Sequence, residues 1–484
     1  MPVARLIQHP APGVMLFNSY DYLIFLPLVM LLFFAAPHRW RWLVLLAASA
    51  LFYAWFIPAY LLIIGGTIVI DYFVGLGLGR TTEATARRWW LWLSLAANLG
   101  ILGVFKYFNF LNANLTVLTG VAGLANPLPA LTLALPLGLS FHTFQAMSYI
   151  VEVYRGKVAP ERHFGRYALY VLFFPQMVAG PIERPQNMLP QFRRVQRFDP
   201  EGATRGLRRI LWGLCKKVLM ADRLAPYVDE VFNHAGQQHG LPVAVAIYFF
   251  AFQIYCDFSG YSDIAVGSAR LLGFDLMENF RRPYLAANIR EFWQRWHLSL
   301  STWFRDYLYI PLGGSRVARP RVYANVFLVF LVSGLWHGAN WTFVIWGALH
   351  GLFTLGSMAR HAGRAPATGL RRAFGVFVTF HLVAVAWVFF RAASLADALT
   401  VLRSLGDWRD PRWLLPGGNP TEFALSLAGI AVLLGVECIQ ARAPQPDALR
   451  RAPVAMRWAA YFAGALALIF LSPFGGKTFI YFQF

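Results

Sequence analysis

The chain has 484 residues, of which 58% are hydrophobic and only 14% charged. Soluble domains run near ~45–50% apolar and ~25% charged, so a water-soluble globule is excluded and a bilayer must solvate much of the surface. The formal net charge of +20, from 43 Lys and Arg against 23 Asp and Glu, matches the basic loops of multi-pass membrane proteins. No nucleic-acid partner is needed to explain it, although a basic mouth would also attract a polyphosphate ligand.

Residues 1–14, "MPVARLIQHPAPGV", are polar and contain proline. Met15 then opens directly into an apolar run. The expectation is that Met15 is the natural start, that 1–14 are a disordered extension, and that 15–484 form one membrane domain. Apolar segments follow at 22–36, 41–57, 59–78, 89–105, 132–150, 167–182, 243–256, 323–337, 340–357, 373–390, 423–436 and 458–474. A helical span needs roughly 20 apolar residues, which predicts an all-α polytopic bundle of about 11 spans, range ~9–13, with re-entrant or interfacial helices. Several segments are short or interrupted by Pro and Gly. Such backbone survives in a bilayer only where protein or a water-filled cavity satisfies it. The polar stretches between segments are too short to bury cores of their own. Basic clusters fall between spans, for example Arg193 to Arg197 and Arg281 to Arg295. Cys215, Cys256 and Cys438 lie in or beside apolar segments, with no CxxC, and read as structural filler.

Asn288 to Ile310 contains no Pro or Gly and predicts one amphipathic helix at the membrane interface, ended by Pro311 and Gly313-Gly314. At 100° per residue, Trp293, Trp296, His297, Leu300, Trp303, Phe304 and Tyr307 share an arc of about 120°. Glu291 and Arg295 sit opposite at supportive i, i+4 spacing. Trp293 and Trp296 read as interfacial anchors, and His297 lies on the apolar arc.

"SGLWHGANW" (333–341) places His337 inside a run, Val322 to Ala359, that has no Asp, Glu, Lys or Arg. An intramembrane ionisable group is a functional candidate; the plainer reading is a helix-to-helix hydrogen bonder. His142, His350 and His381 take the plainer reading first. His337 has more support, from Gly338, which permits close backbone approach, and from Asn340 as an orienting partner. No HExxH and no paired His or Cys at ligand spacing points to a metal. No GxSxG elbow points to a serine hydrolase. A buried histidine general base, acting on a hydroxyl as it attacks an activated acyl group, remains.

The stretches "LPLGLSFHTFQAMSYIVEVYRG" (135–156), "FFPQMVAGPIERP" (173–185), "QIYCDFSGYSDIAVG" (253–267), "MENFRRPY" and "EFWQRWHLSLSTWFRDYLYIPLGG" (within 277–314), "GLWHGANWTFVIWGALHG" (334–351) and "FIYFQF" (479–484) together resemble the membrane-bound O-acyltransferase family. The resemblance is strongest to the branch that acetylates bacterial polysaccharides. It implies a helical fold around a central funnel or tunnel, with no permanently bound cofactor and no metal. It further implies acetyl-CoA as a cytoplasmic donor, an SGNH-type periplasmic acetyltransferase partner within a polysaccharide biosynthesis complex, and a place among lipids of the bacterial inner membrane. The family's catalytic histidine falls on His337 and its second polar position on His297, with glycines making room for a thin acyl arm. Trp336 and Asn340 would support them. Asp257, Ser259 and Asp263, in "DFSGYSD", are expected mostly to pin helices. Arg281, Arg282, Arg290 and Arg305 would meet the phosphates of the donor. Two rival readings stay open: a teichoic-acid D-alanyl transfer protein fed by a carrier-protein thioester, and a glycan or lipid transporter or flippase.

Overall fold

A computed structural model describes residues 15–132, 135–136, 138–177, 180–361, 368–408, 419–442, 452–473 and 479–480. The expectation for residues 1–14 lies outside the described residues. The chain divides into two compact units, one of Met1–Leu207 with Ala265–Met277, the other of Arg208–Ile264 with Glu278–Phe484. The described residues are helical, with no strand among them.

In the first unit, α1 (Tyr20–Ala35) starts where the Ser19 hydroxyl accepts the Tyr22 N–H at 3.2 Å, a side-chain N-cap. Next come α2 (His38–Ala54), α3 (Tyr60–Arg80) and α4 (Ala84–Leu102), which passes through a π-turn (Gly103–Tyr107) into α5 (Phe108–Val121). Then follow α6 (Leu139–Tyr154), α7 (Phe164–Leu172), the single turn α8 (Phe174–Met177) and α9 (Pro185–Arg193). The span expected at 167–182 is thus a nine-residue helix and a turn. Nine residues rise only ~14 Å, too little for a bilayer core. Between α6 and α3, the His142 ring meets Thr67 Oγ1 at 2.6 Å, which is the helix-to-helix role first given to it.

The chain continues through α10 (Pro200–Leu214), a π-turn (Cys215–Ala221), α11 (Asp222–Asn233) and the long α12 (Leu241–Leu271). Within the second unit, Gly213 on α10 and Gly260 on α12 cross closely: a Cβ on either would stand 2.7 or 2.8 Å from the other's carbonyl oxygen. Small residues permit this approach in a bilayer. Next are α13 (Ile289–Trp293), α14 (Leu298–Phe304), a π-turn (Arg305–Tyr309), α15 (Arg319–His337), α16 (Trp341–His361), α17 (Gly369–Arg391), α18 (Leu395–Leu405), α19 (Pro420–Arg442) and α20 (Val454–Phe470).

Six helices among the described residues are long and apolar enough to cross a membrane: α3, α4 continued by α5, α12, α16, α17 and α19. α1 and α20 are apolar but shorter. The molecule is an all-helical, multi-pass membrane protein.

The amphipathic helix expected at 288–310 is broken. α13 is only five residues long, and His297 sits at φ 43° in the left-handed region before α14 begins. Sequence gave no warning, because neither Pro nor Gly marks the break. Asn279, 18 residues upstream, imposes it: its carbonyl accepts the Leu298 N–H at 2.9 Å, and its Oδ1 accepts the Ser299 N–H at 3.2 Å. Trp296 is not an interfacial anchor; it is buried among Phe280, Phe292 and Trp387. Trp293 is half-buried against His350.

Candidate functional site

α15 and α16 form a tight hairpin in the second unit. A Cβ on Gly334 would meet the Phe343 carbonyl at 2.3 Å, one on Gly347 the Phe330 carbonyl at 2.4 Å, and one on Gly338 the Phe343 ring at 2.1 Å. The glycines of the "GLWHG" stretch therefore admit the neighbouring helix and Phe343. The resemblance implies that they make room for a thin acyl arm; the space beside Gly334, Gly338 and Gly347 is instead filled by protein.

His337 ends α15, 4% exposed. Its Nδ1 lies 2.7 Å from the Ser333 carbonyl. A carbonyl only accepts, so Nδ1 carries the proton and Nε2 the lone pair. Asn340 is not the orienting partner. Its amide donates to the Ala393 carbonyl at 3.0 Å, and its Oδ1 accepts the Thr342 N–H at 3.1 Å, at the start of α16. Orientation of His337 comes from its own helix, one turn back.

His297 is fully buried. Its Nδ1 lies 3.2 Å from Asn279 Oδ1, which also accepts the Ser299 hydroxyl at 2.8 Å, while the Asn279 amide donates to Ser262 at 3.3 Å. This donor–acceptor pattern fixes the amide, and through it a His297 tautomer protonated on Nδ1 with its lone pair on Nε2. Burial first, and the His337 ring second, hold the His297 imidazole well below its usual range. A non-glycine residue at positive φ costs about 1–3 kcal/mol and clusters at functional sites. The other such residue described, Arg282 at φ 53°, flanks the same turn, its carbonyl 3.4 Å from Arg295 Nη1.

The two imidazoles flank Trp336: ring centroids are 6.4 Å apart for His297–Trp336 and 5.0 Å for Trp336–His337. The row continues through Trp346, 4.8 Å from His337 and 4.8 Å from His350. His350, which the sequence alone marks as a helix-to-helix hydrogen bonder, thus stands in the same row as His337. The Trp293 indole N–H donates to His350 Nδ1 at 3.3 Å, so neutral His350 carries its proton on Nε2. His350 Nε2 and Trp346 Nε1 are buried donors with no acceptor among the described residues. The signal was the i, i+4 spacing of Trp346 and His350 on the His337 hairpin. His381, by contrast, is a packer, bonded to the Phe377 carbonyl at 2.7 Å and the Tyr248 hydroxyl at 2.9 Å.

"DFSGYSD" borders the His297 turn through Ser262 and through Phe258, whose ring centroid is 4.6 Å from that of His297, while its carboxylates and Ser259 belong to an ion network. The π-turn turns two consecutive lysines inward. Lys217 Nζ bridges Asp222 at 2.8 Å and Asp257 at 2.7 Å. Lys216 Nζ reaches Asp263 at 2.6 Å and the Ser259 hydroxyl at 2.8 Å. Asp257 Oδ2 accepts the Ile480 N–H at 2.6 Å, and Arg209 meets Asp263 at 2.9 Å. These side chains tie α10, α12 and the Phe479–Ile480 segment together.

Of the four arginines expected to meet phosphate, Arg281, Arg290 and Arg305 are exposed and Arg282 half-buried. Arg305 pairs with Asp306 at 2.8 Å. Nearby, Glu291 gathers Arg295 at 2.6 Å, Arg372 at 3.0 Å and the Ala287 N–H at 2.7 Å. Burial alone would raise its carboxyl, but these partners outweigh burial and hold it below the usual glutamate range.

Residues 160–396 match the model of the membrane-bound O-acyltransferase family. The chain is 42% identical over 403 residues to the probable alginate O-acetylase AlgI of Azotobacter vinelandii, covering 81% of this chain and 79% of that protein. It is 39% identical over 391 residues to the peptidoglycan O-acetyltransferase of Helicobacter pylori, covering 75% and 73%. Similarity to the teichoic acid D-alanyltransferase of Streptococcus thermophilus is lower, 29% over 281 residues, covering 52% and 68%. With its buried histidine row carried on a helical membrane scaffold, the chain belongs to the membrane-bound O-acyltransferase family and is an O-acyltransferase.

Proposed function

We propose that the protein moves an acetyl group from cytoplasmic acetyl-CoA across the bacterial inner membrane, for O-acetylation of an extracytoplasmic polysaccharide of the alginate type, with an SGNH-type periplasmic acetyltransferase completing the transfer. The observation that carries this reading is the pair of buried imidazoles either side of Trp336, each with Nδ1–H committed to an oxygen of its own unit. Both then direct a lone pair from Nε2, the form a general base requires.

In the proposed step the donor phosphates rest on the basic face of Arg281, Arg282, Arg290 and Arg305, and the pantetheine arm reaches His337 through the funnel the family implies. The acceptor oxygen attacks the thioester carbonyl; the new C–O bond forms as the C–S bond breaks. His337 Nε2 takes the hydroxyl proton and returns it to the departing thiolate. Neutral His297 offers a lone pair, not a proton, so it positions the hydroxyl and does not polarise the carbonyl. The donors suited to the carbonyl oxygen are Trp346 Nε1–H and His350 Nε2–H, buried with no acceptor among the described residues, as electrostatic stabilisation of an oxyanion demands.

The D-alanyl reading draws on the 29% likeness to a teichoic acid D-alanyltransferase, against 42% for the alginate-type relative. Membranes holding the chain, supplied in parallel with labelled acetyl-CoA and a labelled D-alanyl carrier protein, separate the two. Acetyl should move to a protein or glycan acceptor. Movement of D-alanine alone would overturn the donor assignment, and movement of neither, with the partner present, would overturn the transferase mechanism.

A further inference from the structure

Within the first unit, the end of α1, the starts of α2 and α7 and the end of α9 line a cavity of about 260 Å³. Arg39, Arg41, Arg166, Arg194, His38 and His163 line it, and no Asp or Glu does. Arg166 reaches Glu161 only at 4.0 Å. Arg39, Arg41 and Arg194 make no ion pair among the described residues. Loop bias alone would explain basic side chains scattered in water. It does not explain four arginines converging on one cavity around an Arg41 held by three carbonyls.

The arginine at the centre is fixed. Half-buried Arg41 donates to the carbonyls of Phe34 at 3.3 Å, Ala36 at 3.0 Å and Gln196, with its guanidinium 5.2 Å from the Phe33 ring centroid. His163 Nδ1 accepts the Arg166 N–H at 3.2 Å, so the neutral ring keeps a donor at Nε2. Trp42 stands edge-on to His163, centroids 4.7 Å apart. Gly165 is what lets it stand there, because a Cβ would come within 2.1 Å of the Trp42 ring. Phe192 and Phe274, 5.2 Å apart, give the cavity an apolar wall.

We propose that this cavity binds a phosphate-bearing ligand with an apolar or aromatic body, the phosphate against Arg39, Arg166 and Arg194 and the body against Trp42 and the phenylalanines. Guanidinium forks suit phosphate oxygens; Arg39 and Arg194, with no ion pair among the described residues, keep their charge for a ligand, and Arg166 shares its own only with Glu161 at 4.0 Å. An anionic phospholipid headgroup and a soluble nucleotide share this chemistry. The inference does not rest on the acyl-transfer reading.

The test is native mass spectrometry of the full chain in detergent, with phosphatidylglycerol, phosphatidylcholine and adenosine 3′,5′-bisphosphate as probes. Two variants accompany it. Arg39→Gln/Arg194→Gln removes two exposed charges, and Gly165→Ala displaces Trp42 without altering charge. Wild type should retain phosphatidylglycerol or the bisphosphate over phosphatidylcholine, and both variants should weaken that retention at least about tenfold. Preferential retention of phosphatidylglycerol identifies a lipid source, and its displacement by the bisphosphate a soluble one. If wild type prefers neither probe, or if the arginine variant binds as wild type does, the proposal is overturned. If Gly165→Ala alone binds as wild type, the attraction is diffuse surface charge, and the built site is refuted.

Discussion

Replacing Lys217 by methionine leaves Asp222 and Asp257 facing an uncharged thioether. All three side chains are at most 4% exposed, and the lysine bridges the carboxylates at 2.8 and 2.7 Å. Removing one member of a buried ion pair costs about 3–5 kcal/mol, because its partner charge stays behind in a low dielectric. Two carboxylates left behind put Lys217→Met at or above that range. Adding Asp257→Asn removes one stranded charge while keeping an oxygen for the Ile480 N–H, now 2.6 Å from Asp257. The double variant should therefore be more stable than Lys217→Met alone, a sign that simple addition of two damaging substitutions cannot give. Thermal unfolding in detergent measures this, and transfer activity per folded molecule separates structure from chemistry. A Lys217→Met protein as stable as wild type, or a double variant that is worse still, would refute the account of this network as a helix clamp.

Three further outcomes follow from the site. Asn279→Ala strips the acceptor from His297 Nδ1–H, the Ser299 hydroxyl and the Ser299 N–H; each stranded buried donor costs about 1–3 kcal/mol, so kcat should fall by about 10- to 100-fold with KM for the donor little changed. Asn279→Asp keeps the acceptor and should recover part of that loss; equal damage from both would mean that the tautomer of His297 does not matter. Trp346→Phe keeps the ring packing but removes Nε1–H, and should lower kcat by about 10²-fold as loss of one oxyanion donor does; an unchanged kcat would remove Trp346 from the mechanism. Glu291, with its carboxyl held below the usual range, stabilises the fold fully above the ordinary glutamate value near ~4.3, and that contribution fades as pH falls through its lower folded value. The melting-temperature gap between wild type and Glu291→Gln should be open at neutral pH and close in acid, and a gap independent of pH would contradict the assignment.

His337 and His297 stand out in the sequence as candidates because each is a titratable ring in an apolar setting, within stretches that match the family. The break at His297 was not, because it is made by Asn279, 18 residues away in sequence, and not by any local Gly or Pro. Trp296 read as an anchor by helical periodicity and lost that role once the helix ended beneath it. The lysine–aspartate clamp was hidden for a similar reason. Lys216 and Lys217 continue a basic run that begins at Arg205, and only the π-turn at Cys215–Ala221 sends both inward to α12. Asn340 was the nearest polar side chain to His337 in sequence, yet the α-helical carbonyl of Ser333 is nearer in space. His350 looked like one packing histidine among several until the Trp293 N–H fixed its tautomer and exposed its other nitrogen as a stranded donor.

The most direct measurement is single-turnover acetyl transfer from labelled acetyl-CoA by the purified chain with its acceptor, wild type beside His337→Ala and His337→Gln, scaled to folded protein by size exclusion. Transfer should fall to background in both variants while the folded fraction and donor binding remain, since Nε2 of His337 is the proposed proton acceptor. A His337→Ala protein that transfers acetyl at the wild-type rate would contradict the account and leave His337 a helix-packing residue.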